Sequence, residues 1–239
     1  MLATFAANAS MDILLVSATP FEIAPATSWL QQAFEQNGEG IFSRKTIHLK
    51  ILVTGVGPVF TAWSLGQFLA RFRADWVLNA GVAGAFDNSL RPGDVVQVVR
   101  ERFGDLGVEE NDGRFTDLFE LGLSEADAPP FQRGELHHPA VSLTDFLPKV
   151  NGLTVSKVHG TAASIAAIRS KYPDVQIETM EGAAVFYACL MNEVPFTQIR
   201  AISNYVEPRN RAGWRLQEAI GNLNSVLINL LQALVDQDG

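Results

Sequence analysis

The chain has almost no means of covalent cross-linking. Its single cysteine, Cys189, rules out an internal disulfide, and no Cys/His group has the spacing of a zinc site. A reduced, cytoplasmic setting without a bound metal is the expectation. Basic residues are in the minority, 18 Lys and Arg against 26 Asp and Glu, for a formal net charge of -8. That balance disfavours nucleic acid and anionic membrane surfaces as partners, since both select clusters of Lys and Arg. No apolar run reaches the length of a membrane span, and the opening MLATFAANAS lacks the basic region of a secretory signal. Met1 to Ser10 is expected to be a disordered extension, with Met11 as an alternative start. Neither G-x-G-x-x-G nor the GK[ST] of a P-loop occurs, so no nucleotide cofactor is expected. The expected partner is a small molecule.

What is present suits a large core. Of the 239 residues 47% are hydrophobic, enough for a single catalytic domain over residues 11–239. Short apolar runs alternate with helical patterns: DILLVS, a helix near Phe21 to Phe34, IHLKILVTG, a helix near Val59 to Phe72, then WVLNAG. This is the βαβ pattern of an α/β protein with a mostly parallel sheet covered on both faces. GDVVQVV, GLTVSKV, DVQIET and PFTQIRAIS supply further strands, and Trp214 to Val235 reads as a long final helix. Arg102 to Val150 has weak periodicity and reads as an excursion from the sheet, either a functional loop or an ordinary insertion.

Ligands of open α/β sheets bind beyond the carboxyl ends of strands. Thr19 and Glu22, TGVG at Thr54 to Gly57, NAGVAGAF at Asn79 to Phe86, Glu178 to Glu181, and SNYVEPRNR from Ser203 all fall at such ends. GVG and AGVAG read as glycine-rich turns that let backbone approach a ligand. In QIETMEGAAVFYACL two carboxylates precede an almost wholly apolar helix, and a buried charge needs a partner.

ETMEGAAV, RAISN, NAGVAG followed by PGDVV, and VTGVGPVFTA together resemble the purine nucleoside phosphorylase and methylthioadenosine/adenosylhomocysteine nucleosidase superfamily, in order and spacing over nearly the whole chain from Asp12. The resemblance implies a three-layer αβα sandwich with a mixed central sheet. It gives Met180 and Glu181 the ribose site, where a carboxylate accepts from both sugar hydroxyls and faces the cationic, oxocarbenium-like sugar. Glu178 lacks such a correspondence and is expected to balance Arg200, a charge in an apolar strand.

Phosphorylases of this family place cationic and hydroxyl donors around phosphate. This chain has Glu22 after the first strand and Val82 where a phosphate-contacting serine is expected, with Gly84 following. A carboxylate repels phosphate and can deprotonate water, so the resemblance favours hydrolysis with Glu22 as general base. Methylthioadenosine nucleosidases carry Asp after the serine of RAIS; this chain has Ser203 and then Asn204, whose amide can donate to N7 or O6 of a 6-oxopurine but cannot act as an acid. AISNYVEPRNR and FGDLGVE look like the futalosine hydrolase branch, whose substrate is an inosine carrying a ketone-linked benzoate at its 5' position. Arg209, Arg211 and Arg215, with Trp214 among them, are candidates to hold that carboxylate. His159, with Thr161 beside it, is a candidate contact to the base. The resemblance also implies a homo-oligomer. Another purine nucleosidase and a 6-oxopurine phosphorylase remain alternatives at this point, as does a nucleoside-sensing module without catalysis.

Overall fold

The computed structural model describes residues 10–139 and 143–236. The expected N-terminal extension lies outside the described residues except for Ser10, which is exposed. The elements in chain order are β1 (Met11–Ser17), α1 (Ala24–Ala33), β2 (Glu35–Gly38), β3 (Ile41–Arg44), β4 (Ile47–Val53), α2 (Pro58–Leu69), β5 (Trp76–Ala85) and β6 (Val95–Glu101). They continue with β7 (Gly107–Glu109), β8 (Phe115–Asp117), β9 (Leu136–His137), β10 (Lys149–Thr154), α3 (Ala162–Lys171), β11 (Ile177–Thr179), α4 (Gly182–Met191), β12 (Phe196–Tyr205) and α5 (Leu216–Asp236).

The sequence of β1, MDILLVS, shows how the layers arise. Successive side chains of a strand point to opposite faces. Ile13 and Leu15 join a core with Leu30 of α1 and Leu223, Leu227 and Leu231 of α5. Leu14 and Val16 join a second core with Leu65 of α2 and Val185 and Phe186 of α4. Two apolar faces demand two helical layers, which gives the expected αβα sandwich. In α4 seven of the ten residues are buried, so little of this helix is left for solvent.

The sheet has the strand order β11-β10-β6-β12-β5-β1-β4-β3-β2, with β9 on β6. Its centre is parallel: β1 pairs with β4 and β5, and β5 with β12. The β2–β3–β4 edge is antiparallel, so the sheet is mixed, as expected. Because β11 also pairs antiparallel with β5, strands β5, β12, β6, β10 and β11 close into a ring. The rest of the sheet opens from this ring through β1.

Two local expectations need correction. The segment AGVAG is part of strand β5 and not a turn after it. Its glycines serve close approach: a side chain on Gly81 would put its Cβ 2.9 Å from Glu22 Oε1, and one on Gly84 would come 2.9 Å from Val206 Cγ2. The helix expected from Phe21 begins with a separate 3-10 turn, Pro20–Ile23, before α1. Strands β2 and β3 and helix α3 had no strong signal; β2 is exposed throughout, so no apolar alternation marks it. Within the irregular stretch, β7 and β8 form a separate two-stranded sheet.

Glu101, at the end of β6, is 1% exposed. Its carboxylate accepts from Gln198 Nε2 (2.7 Å), Thr154 Oγ1 (2.9 Å) and Thr179 Oγ1 (3.4 Å), which joins β6, β12, β10 and β11. The same two threonines accept from the first amides of α4, Gly182 N–H to Thr179 (3.2 Å) and Ala183 N–H to Thr154 (2.7 Å). Burial pushes the Glu101 carboxyl up to about 7, against the opposing pull of Arg200 and these donors. A native carboxyl raised above its unfolded value contributes stability that is full below the unfolded value, near 4.5, and lost as pH rises through about 7. Glu101→Gln is therefore expected to gain stability relative to wild type as pH increases across that window, by at most about 1.4 kcal/mol per pH unit. Urea unfolding of both proteins between pH 5 and 8 measures it; a difference that does not vary with pH counts against the assignment.

Candidate active site

The C-terminal ends of the central strands converge on one cavity. β1 ends in Ser17, and the turn after it places Glu22, 9% exposed, back over the strand end. Glu22 Oε2 accepts from Thr19 Oγ1 (2.9 Å), Thr19 N–H (3.0 Å) and Ser17 Oγ (3.2 Å). Its other oxygen accepts from the Val82 N–H of β5 at 3.2 Å. Thr19 and Glu22 thus form a capping box, and the box aims the carboxylate at β5.

Glu181 approaches from the other side as the residue that begins α4. Gly55 and Gly57 have φ of 87° and 104°, a left-handed backbone open to glycine, and this turn delivers the Gly57 N–H to Glu181 Oε1 at 2.8 Å. The positive charge of Arg200 of β12, 2% exposed, acts on both carboxylates. Its Nη1 donates to Asn79 Oδ1 and to the Ile199 carbonyl (3.0 Å), while Nε has no acceptor among the described residues. Burial raises the Glu181 carboxyl, Arg200 and the Gly57 amide oppose that rise, and the negative charge of Glu22 adds to it. Burial likewise lowers the Arg200 guanidinium, opposed by Glu181, Glu101 and Glu22. Glu22 Oε1 and Arg200 both approach Gly81: a Cβ there would lie 2.9 Å from the carboxylate and 3.6 Å from Cζ.

Glu22 and Glu181, but not Arg200, face a cavity of about 300 Å³, lined also by Thr19, Phe21, Val56, Val82, Gly84, Val158, Met180, Ser203, Asn204 and Trp214. A smaller annex of about 70 Å³ continues from it and adds His159 and Arg209, while Gly84, Glu178, Asn204 and Trp214 border both. A wider groove of about 440 Å³ lies between α3 and Tyr205–Pro208, but neither Glu22 nor Glu181 reaches it, so the chemistry belongs to the first cavity. Among the described residues no group of His, Cys, Asp and Glu converges in the manner of metal ligands. One end of the cavity holds two carboxylates. The other holds amide, imidazole and aromatic groups.

A profile of the phosphorylase superfamily matches residues 12–236. The chain belongs to the phosphorylase superfamily. Futalosine hydrolase of Streptomyces coelicolor is 35% identical over 190 residues, 77% of this chain and 79% of that one. Futalosine hydrolase of Acidothermus cellulolyticus is 32% identical over 218 residues, 90% and 88% of the two chains. The solved structure of the 5'-methylthioadenosine/S-adenosylhomocysteine nucleosidase from Neisseria meningitidis, in complex with methylthio-immucillin-A, superimposes with a TM-score of 0.73, covering 93% of this chain and 99% of that one. At 19% identity that likeness is one of fold.

Within the superfamily frame, most of the residues picked from sequence meet in space. Glu22, Val82, Gly84, Met180, Glu181, Ser203 and Asn204 line the main cavity, and His159 and Arg209 line its annex. The Arg209 guanidinium lies 5.4 Å from the centre of the Trp214 ring. Arg211 is exposed on a short turn and borders neither space, and Arg215 is paired with Glu218 at 3.6 Å. Thr161 caps α3, accepting from the Ser164 N–H. The expected pairing of Glu178 with Arg200 is not formed. Alternation along β11 turns Thr179 toward Glu101 and Glu178 toward His159, whose backbone N–H (3.1 Å) and ring Nδ1 bond to its carboxylate. Arg200 itself went unassigned as a site residue, although a cation in the apolar run PFTQIRAIS was the available signal. Val158 and Phe21 carried none.

Removing the central cation tests this geometry. Arg200→Met should destabilise the protein by about 3 to 5 kcal/mol, because it leaves buried carboxylates without a counter-charge. Adding Glu101→Gln should restore part of that loss near pH 8. Urea denaturation of the single and double variants reads the coupling, and strict additivity would argue against it.

Proposed function

We propose that this protein is a futalosine hydrolase: it cleaves the N-glycosidic bond of futalosine with water, releasing hypoxanthine and dehypoxanthine futalosine, in menaquinone biosynthesis by the futalosine pathway. The observation that carries the reading is the placement of Asn204, with Glu22 and Glu181, around one cavity. The two futalosine hydrolases with which the chain shares 32% and 35% identity support it.

Each end of the cavity has a part. Glu181 accepts from the 2'- and 3'-hydroxyls of the ribose, and its charge stabilises the sugar cation that forms as the bond breaks. Glu22 takes a proton from the attacking water, and the buried positive charge of Arg200 limits repulsion between the carboxylates. The Val82 amide, a donor suited to phosphate, is already engaged by Glu22, which supports hydrolysis over phosphorolysis. Asn204 Oδ1 accepts from Ser203 Oγ (2.7 Å), so its Nδ2 is turned as a donor, one hydrogen to the Tyr205 carbonyl (2.8 Å) and the other free for a 6-oxopurine acceptor. Arg209, stacked on Trp214, is the candidate for the substrate carboxylate; Arg211 has no such placement. Homo-oligomerisation belongs to the same reading. Val59, Phe60 and Trp63 of α2 and Tyr187 and Met191 of α4 stay exposed on two helices that pack together, an apolar surface suited to a second copy of the chain.

Incubation with futalosine, inosine and methylthioadenosine in phosphate-free buffer, followed by identification of the released base, tests the assignment. Hypoxanthine from futalosine, with no acceleration by phosphate, is expected; adenine release or a sugar 1-phosphate would redirect it. Glu22→Gln should lower kcat by about 10²- to 10⁴-fold with nucleoside binding largely kept. Arg209→Ala should impair futalosine far more than inosine, which lacks the benzoate, by about 1.5 to 3 kcal/mol per charge-assisted bond lost. Arg211→Ala should not distinguish the two substrates.

A further inference from the structure

The hydrolysis proposed above leaves one proton without a source. A purine leaves as a stable neutral molecule only if it gains a proton as the C1'–N9 bond breaks, and Asn204 has no ionisable hydrogen to give. Its amide oxygen and one amide hydrogen are already engaged by Ser203 and Tyr205.

The annex beside Asn204 contains a titratable pair. His159 follows β10, and its side chain is 16% exposed. Glu178, with a side chain 3% exposed, accepts from the His159 backbone N–H and bonds to ring Nδ1. The carboxylate thereby fixes the ring orientation and places a proton on Nδ1. Nε2 has no partner among the described residues. His159 and Asn204 border the same annex, which opens into the cavity through Gly84, Glu178 and Trp214. Glu22 and Glu181 border only the main cavity. The imidazole is therefore at the end of the space away from the nucleophile, where the base of a bound nucleoside leaves. A buried carboxylate bonded to one nitrogen of a histidine whose residue borders a substrate space is the arrangement of an acid–base dyad.

We propose that His159, oriented by Glu178, is the general acid that protonates the departing hypoxanthine, with Asn204 holding the neighbouring acceptor of the same purine edge. The proposal rests on the hydrolase reading above and supplies its missing proton. In the imidazolium form both ring nitrogens donate, one to Glu178 and one to the purine. As the C1'–N9 bond breaks, its electron pair passes into the purine and the Nε2 proton moves to N7. Water adds its oxygen to C1' and yields a proton to Glu22. Exchange with solvent then returns a proton to His159 and removes one from Glu22, so the cycle closes with one water consumed. Glu178 is a positioning residue in this scheme, because it transfers no proton to the purine and acts by holding the His159 ring.

A substrate that needs no proton separates this role from binding or folding. 7-Methylinosine carries a fixed positive charge on its purine and departs as a neutral base without protonation. His159→Gln keeps a hydrogen-bonding side chain without a transferable proton. It should lower kcat on futalosine and inosine by about 10²-fold or more, and alter 7-methylinosine hydrolysis by only about threefold. Glu178→Gln should show the same substrate selectivity with a smaller loss, which provides a second variant if the first folds poorly. Because the comparison is a ratio between substrates on one protein preparation, general destabilisation cancels. Equal losses on methylated and unmethylated nucleosides would overturn the acid role while leaving the hydrolase reading intact. Wild-type protein that released no hypoxanthine from futalosine or inosine would overturn that reading and this assignment together.

Discussion

One buried guanidinium holds the site together. Arg200 stands 2% exposed in the middle of the sheet, hydrogen-bonded to Asn79 and the Ile199 carbonyl, with the charges of Glu22, Glu101 and Glu181 acting on it. Three carboxylates in so small a volume would repel one another, and each would be costly to desolvate alone. The cation makes their convergence tolerable. Its charge also acts on Glu101, which accepts from the threonines that receive the first amides of α4. The position of Glu181 at the head of α4 thus depends on a buried polar network as much as on helix packing.

Glycine sets how closely these groups approach. The absence of a side chain at Gly81 lets Glu22 cross β5 and bond to the Val82 amide, and the left-handed turn at Gly55 and Gly57 brings an amide to Glu181. Both carboxylates are held by backbone N–H groups on neighbouring elements, so their geometry follows the sheet and not flexible side chains. Such fixed charges need little reorganisation when positive charge develops on a sugar, which is the electrostatic demand of the proposed hydrolysis. The opposite end of the cavity, with amide, imidazole and indole groups, suits a planar heterocycle.

Much of the fold was legible. The short apolar runs, DILLVS above all, and the long amphipathic pattern of α5 mark strands and helix, because a strand buried on both faces leaves a continuous apolar run and a helix buried on one side a periodic one. Strand β2 left none, since it is exposed, and AGVAG misled because glycine marks close backbone approach inside a strand as well as a turn. For the site, Glu22, Glu181 and Asn204 stood out by resemblance to family motifs. Arg211 stood out as one of the arginines clustered with Trp214 beyond Asn204, and the structure leaves it in solvent.

The sequence by itself determined the residue types available for chemistry and the order of the layers, because local periodicity and strand-end motifs are properties of neighbours along the chain. Which charges meet was decided by tertiary structure. Glu178 and Arg200 are both in strands with apolar flanks, and nothing in their spacing tells whether they pair; the closure of β11 onto β5 and the alternation of side chains along β11 send Glu178 to His159 instead. The partners of Arg200 come from residues 22, 101 and 181, and contacts at such separations depend on how the sheet closes.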